Sequence, residues 1–470
     1  MTLSTCWKTI YAVLLLYVGT ATASPAQTFA VLADFFNYWP AYPYYGVLSQ
    51  GTDGNFYGAS SQGGTYGQLF GVSPSGTLGQ IYGFCFAANC ADGGYPYGGL
   101  VLGADGNLYG TTSAGGAHGW GTIFKVTTTG ALTTLYSFCS APDCADGASP
   151  YAGLVLGTDG NFYGTTAGDG TNNHGTVFRI TPSGAFKALY QFCVSSVPWC
   201  TDGSVPAGGV VQGMDGDFYG TTRNGGSEAY FCFNGVDFGC GTVFKITRSG
   251  ALTTLYNFSG ADGQYPYAGL VQGTDGNLYG TTSSGAGNSF AGTVFKISSA
   301  GTLTSLHTFC GSVNCPDGSQ PHAGLVQGTD GNFYGSTEYG GAGNSGTLFS
   351  ITSSGALTTL YSFCASGSCV DGYDPLAGLI QGTDGGFYGT TAFGGSGGGT
   401  VFSLSMGLGP FVKTLPTSGP GRRNLWAKAS VRDCCRRGTP GAFCGWNQQG
   451  RMPRSSLAVS AARRVKMSVM

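Results

Sequence analysis

The sequence predicts an all-β protein, a seven-bladed β-propeller. Three observations lead there. The motif Gly-x-Asp-Gly-x-[Phe/Leu]-Tyr-Gly recurs seven times, with its Asp at 53, 105, 159, 215, 275, 330 and 384. Each copy divides into four short apolar segments separated by turn residues, the count a propeller blade requires. Gly accounts for 86 of 470 residues, which disfavours long helices because each helical Gly costs about 1 kcal/mol relative to Ala. The Gly residues show no three-residue period, so a collagen-like chain is excluded. Aromatic residues at 13% and charged residues at 9% argue against disorder over most of the length.

The elements follow in order. Residues 1–23 read as a signal peptide: Lys8, a short apolar run from Ile10 to Val18, and Ala21-Thr22-Ala23 as the cleavage site. The run is too short to span a bilayer, and no later stretch is long enough, so no transmembrane segment is expected in the mature chain. The repeats occupy 27–408, spaced by 52, 54, 56, 60, 55 and 54 residues. In the fifth, the first strand is Ala268–Gln272, and Asp275-Gly276 makes a tight hairpin in which φ > 0 is needed. The second strand is Asn277–Thr282, the third Gly292–Ile297 after a variable loop, and the fourth Leu303–Phe309. The last repeat supplies only three strands and ends near Ser405, whereas Thr28–Phe35 is a stray strand at the start. The N-terminal strand is expected to complete the last blade and remove the open edges; Gly409–Thr414 competes for that place. A linear β-solenoid is the alternative, although its coils are usually shorter.

Twelve cysteines form six local pairs. Cys85 pairs with Cys90, Cys139 with Cys144, and Cys193 with Cys200. Cys232 pairs with Cys240, Cys310 with Cys315, and Cys364 with Cys369. The loop after Asn257-Phe258 lacks both members together, as a disulfide requires and a zinc site does not. Charge divides the chain. Residues 1–412 hold 8 basic and 21 acidic residues; 413–470 hold 12 basic residues and one acid, Asp433. The acidic body makes nucleic acid an improbable partner. Residues 409–470 read as a basic, disordered tail, or as a frameshift product that replaced a further module.

The repeated Gly-Leu-Val-Gln-Gly-Thr-Asp-Gly-Asn-Phe-Tyr-Gly-Thr-Thr, followed by Gly-Thr-Val-Phe-Lys-Ile and Leu-Thr-Thr-Leu-Tyr-Ser-Phe, resembles the GloVer tandem repeat of bacterial choice-of-anchor proteins. The resemblance covers roughly residues 29–407. It implies an exported bacterial protein, secreted or at the cell surface, and carries no catalytic residues with it.

In a propeller, the loops between blades and those joining second to third strands share one face. That face is the candidate ligand face, with Trp120, Trp199, Tyr230, Phe231, Asp146, Asp202, Asp317 and Asp371 as the candidate contacts. Its loops hold 12 acids, Glu338 and Asp374 among them, with Arg223 as their one base. Exposed aromatic rings suit sugar stacking, and the loop acids suit calcium or a cationic partner. Inter-blade packing of the rings and turn-forming Asp are the competing explanations. The Asp of the hairpins and the Tyr that follow them are read as structural. No Ser-His-Asp elbow and no resident cofactor are indicated, and His118, His174 and His322 lie in different repeats. The function expected is non-catalytic binding of carbohydrate or a surface protein, or scaffolding, by a monomer. A polysaccharide hydrolase or lyase using loop carboxylates, and a purely structural envelope protein, are the alternatives.

Overall fold

The computed structural model describes residues 27–36, 42–64, 66–168, 174–193, 200–226, 232, 239–286 and 291–410. The expected signal peptide and the expected tail beyond residue 410 lie outside these residues, as do Trp199, Tyr230 and Phe231. Seven four-stranded antiparallel sheets form a ring. Helix is confined to three short 3-10 turns among the described residues. The first blade comprises Ser49–Gln50, Phe56–Ser60, Gln68–Val72 and Leu78–Gly83, and the next five repeat this order.

The seventh blade is completed by the N-terminal strand. Thr28–Phe36 pairs antiparallel with Gly397–Ser405, and so takes the outer position left vacant by the last repeat. Two further contacts close the ring between blades seven and one. Gln50 Oε1 accepts from the Thr383 amide at 2.9 Å, and Gly398 O accepts from the Tyr42 amide at 3.1 Å.

Within each blade the second strand is buried along its whole length, as expected for a strand covered by blades on both faces. Its central Gly has a steric cause. A Cβ at Gly110 would stand 2.6 Å from Cζ of Phe124, its cross-strand partner, whose ring lies over the bare backbone. The buried hydroxyls that follow find each other: Thr112 and Thr122 lie 2.8 Å apart, and the pair recurs in later blades.

The first strand is shorter than the sequence suggests, two residues rather than five. The preceding residues face the neighbouring blades instead. A Cβ on Gly153 would meet Gly99 O at 2.6 Å, and one on Gly269 would meet Gly209 O at 2.6 Å. Inner segments therefore pack backbone to backbone around the axis, a spacing only Gly permits.

The core lies between blades. The hairpin Tyr of one blade stacks on the aromatic residue of the next: Tyr109 on Phe162 at 4.1 Å and Tyr163 on Phe218 at 3.9 Å between ring centroids. Tyr388 on Phe56, at 4.0 Å, closes the circle. The Tyr hydroxyl then donates to the hairpin Asp of its own blade, as in Tyr109 to Asp105 at 2.8 Å. That Asp also accepts from the amide and side chain of Asn107. The structural reading of the hairpin Asp and Tyr thus acquires a mechanism: the Asp holds the turn and orients a ring that cements two blades.

Candidate functional site at the mouth of the loop-rich face

The inter-blade loops come first, because the sequence places its candidate acids there. Five of them are closed by a disulfide at their base: Cys85 with Cys90, Cys139 with Cys144, Cys193 with Cys200, Cys310 with Cys315, and Cys364 with Cys369. A sixth disulfide, Cys232 with Cys240, ties the long insertion of the fourth repeat. Each short loop is also held by its Asp. Asp146 is 5% exposed and accepts from the Tyr136 hydroxyl at 2.6 Å, the Ser140 amide at 2.9 Å and the Ala141 amide at 3.1 Å. Asp202 accepts from Tyr190 and the Cys193 amide, and Asp371 from Tyr361 and the Cys364 amide. Asp317 accepts from the Cys310 amide and lies 2.9 Å from Nε2 of His307, which stands where other blades have Tyr. Asp262 repeats the clamp on Tyr256 and Ser259 in the loop without cysteines, which is shorter. The four candidate acids thus point back onto their own loops. Burial pushes the Asp146 carboxyl up, but the bonds from Tyr136 and the loop amides outweigh it and hold the group below its ordinary value.

Trp120 is 47% exposed on the same face and makes no ring contact among the described residues. His174 lies 3.8 Å from Cys200 Sγ, and with Cys193 they form a compact group. Both sulfurs belong to one disulfide, so neither is a thiolate able to hold a metal.

A different set of side chains converges at the axis. The ring of residues just before the inner Gly segments reads Tyr45, Tyr97, Tyr151, Ala207, Tyr267, His322 and Leu376 from blade one to seven. The ring at the end of the second strands reads Ser61, Ser113, Ala167, Arg223, Ser283, Glu338 and Ala392. The buried second and third strands are nearly uniform between repeats; these rings, like the loops joining second to third strands, differ. Isolated bridges such as Ser319 to Tyr339 and Ser204 to Asn224 tie the two rings together in most blades.

Tyr45 stands 6.4 Å from Tyr97, and Tyr97 5.4 Å from Tyr151, between centroids. Tyr45 and Tyr151 are 42% and 43% exposed. On the other side, the Arg223 guanidinium lies 4.6 Å from the Tyr267 centroid, and Tyr267 lies 4.7 Å from the His322 ring. His322 Nε2 is 2.9 Å from Glu338 Oε2. Tyr45 lies near enough to Glu338 and Tyr267 to feel their charge: burial first, then Glu338, pushes its hydroxyl up to about 12.

The two carboxylates of the mouth behave oppositely. Burial raises the Glu338 carboxyl, but the hydrogen bond and charge of His322 more than reverse this, and it sits below its ordinary value. The Asp374 carboxyl accepts no hydrogen bond among the described residues. Burial, and then the Glu338 charge, push it up to about 6. Asp374 also carries φ of 52°, a left-handed conformation fixed by bonds from its amide to Ser345 O and from the Ala392 amide to its own carbonyl.

Sequence reasoning named Arg223, His322, Glu338 and Asp374 only as scattered loop charges, and passed over Tyr44, Tyr45 and Phe393. The signal available was the contrast between repeats: beside the nearly uniform buried strands, columns that vary are those not reserved for holding the fold.

No curated protein matches the sequence of the chain. Among solved structures, the extracellular domain of a B. thetaiotaomicron protein assigned as a one-component system is 12% identical with a TM-score of 0.52. The alignment covers 81% of this chain and 40% of that one, so the chain spans well under half of its relative's length. The periplasmic gluconolactonase of Pseudomonas aeruginosa is 17% identical over 71% of this chain and 95% of that one, with a TM-score of 0.41. At such identities the first likeness shows the propeller fold alone, and the second carries no argument. The sequence profile of the Gloeobacter/Verrucomicrobia repeat matches residues 20–234 and 312–420, more than half of the chain. With the repeat, the blade it builds and the closed ring all in agreement, the chain belongs to the Gloeobacter/Verrucomicrobia repeat family.

Proposed function

We propose that this protein is an exported, non-catalytic binding propeller of the cell exterior, which holds its ligand at the mouth of the loop-rich face. The observation that carries the reading is the convergence of unlike side chains from different blades on the two rings around the axis, with Tyr45, Tyr97 and Tyr151 on one side and Arg223, Tyr267, His322 and Glu338 on the other. Uniform repeats build the ring; side chains that differ from blade to blade make the mouth asymmetric, as recognition requires. Six disulfides fit folding in an oxidising compartment. No helix of the described residues is long and apolar enough to cross a membrane. Carbohydrate and a surface protein are the ligand classes the exposed Tyr rings suit, since rings with one polar end serve both.

A second reading has one observation in its favour. Glu338 and Asp374 have pKa values displaced in opposite directions, the pattern by which acid and base roles are separated in one site. A polysaccharide-acting enzyme would use Asp374 as the acid and Glu338 as the base.

The test is a thermal-shift screen of the oxidised protein against polysaccharides and calcium. A ligand at about 100 times its Kd adds about 2.7 kcal/mol of stability. A rise with a saccharide, without turnover, is the expected result. Turnover that disappears in Glu338→Gln would favour the enzyme, and a screen flat throughout would count against a binding role for the face.

A further inference from the structure

We infer that the mouth recognises an organic ammonium ion, held between the exposed Tyr rings and the carboxylate of Asp374. The inference deepens the binding reading and rests on it.

Three observations lead to it. The first is the balance of charge. The mouth has two basic side chains among the described residues, and both are engaged: Arg223 lies on Tyr267, and His322 pairs with Glu338. Among the described residues, the Asp374 carboxyl has neither a hydrogen-bond donor nor a cation beside it. The titratable groups that face it are Glu338, Tyr44 and Tyr339, none of them a cation. A half-buried carboxylate with no counter-ion is an unfavourable arrangement that an incoming cation would relieve.

The second is the aromatic lining. The Asp374 carbonyl accepts from the Ala392 amide, next to Phe393, whose ring lies 5.9 Å from Tyr44, and Tyr44 lies 6.2 Å from Tyr45 between centroids. Ring faces attract cations by their quadrupole, and do so most strongly where water is partly excluded. Arg223 shows that the rings of this mouth accept such a guest, since its guanidinium already occupies the face of Tyr267. The equivalent faces of Tyr44 and Tyr45 hold no side-chain cation among the described residues.

The third is shape. Tyr45, Tyr97 and Tyr151 form an aromatic arc over blades one to three, and Asp374 belongs to blade seven, which adjoins blade one at the end of that arc. The surplus of acidic residues over 1–412 draws cations toward it from a distance. A neutral sugar could stack on the same rings, but it would leave Asp374 without the charge it lacks.

The experiment measures binding to the full, exported, disulfide-bonded chain with two matched pairs of probes. Choline is compared with its uncharged isostere 3,3-dimethylbutanol, and glucosamine with N-acetylglucosamine. The expected result is that the charged member of a pair binds at least about tenfold more tightly, as joint loss of a cation–ring contact and a charge pair implies. Asp374→Asn and Tyr45→Ala should each remove most of that preference, while both variants keep the wild-type far-ultraviolet circular dichroism. The affinity for the charged probe should also fall about tenfold between pH 7 and pH 5, as Asp374 takes up its proton. Equal binding of charged and uncharged members, or a cation preference unchanged in Asp374→Asn, would overturn the inference and leave the binding reading standing. Failure of all four probes, together with a flat saccharide screen, would overturn both.

Discussion

At the scale of single residues, the acids of this protein divide into two kinds that look alike in sequence. Asp146, Asp202, Asp317 and Asp371 stand on the face that the sequence marks for ligands, yet each accepts bonds from its own loop. Asp374 stands a few residues from one of them, and its carboxyl accepts none among the described residues. The difference has a thermodynamic signature with opposite signs. The hairpin and loop acids held below their ordinary values, such as Asp105 and Asp146, contribute stability above their unfolded pKa near 4; it is lost as the pH falls through their folded values. Asp374, raised to about 6, is stabilising only while protonated, and its contribution is lost as the pH rises from about 4 to 6. Asp374→Asn should therefore raise the melting temperature at pH 7.5, and the gain should shrink as the pH is lowered toward 4. Because the group is half-exposed, solvent screening limits the gain to a few degrees. A variant that melts lower than the wild type at pH 7.5 would show that the carboxylate has a partner.

At the scale of elements, the four strands and the hairpin of each repeat were legible because their signals are local. Asp-Gly fixes the turn, and the short Phe-Tyr-Gly-Thr-Thr run bounded by turn residues marks the fully buried strand. The cysteine pairs were legible for the same reason. Cys85 and Cys90, like Cys310 and Cys315 or Cys364 and Cys369, stand five residues apart, and both members are absent together after Phe258. Two features were not legible. The inner strand is cut to two residues because Gly99, Gly153 and Gly269 meet neighbouring blades rather than their own second strand, a contact that no pattern within one repeat records. The Asp clamp spans from fourth strand to inter-blade loop, joining Tyr136 to Asp146 across a loop whose path is set by the next blade. The clamp and the disulfide are two restraints on one loop, so removing the disulfide should be tolerated. Cys139→Ser with Cys144→Ser should cost at most about 2 kcal/mol, the chain-entropy value for so short a loop. Hydrogen exchange should quicken at residues 139–147 and remain unchanged in the strand Thr122–Val126. Exchange accelerated through the whole blade would mean that the disulfide, not Asp146, holds the loop.

At the scale of the whole molecule, the ring closes through the N-terminal strand. Thr28–Phe36 supplies the outer edge of blade seven, and Asp34 there accepts from the amide and hydroxyl of Ser396. Deleting residues 27–36 should leave Gly397–Ser405 as an open edge, lower the cooperativity of unfolding and promote self-association, as read by scanning calorimetry and light scattering. A truncated protein that melts as one sharp transition near the wild-type temperature would show that closure does not depend on this strand. The mouth belongs to this scale as well. No single repeat contains it, since Tyr45, Arg223, Glu338 and Asp374 come from different blades and meet only when the ring is complete. This is why the sequence shows the residues but not the site. The decisive measurement is the affinity of the saccharide or ammonium probe that stabilises the protein most. It is to be compared across the wild type, Tyr45→Ala with Tyr151→Ala, and Lys187→Ala on the exposed outer strand. If the mouth holds the ligand, its double variant loses most of the binding while Lys187→Ala keeps it. Undiminished binding by the mouth variant would place the ligand elsewhere and contradict a binding role for the axis.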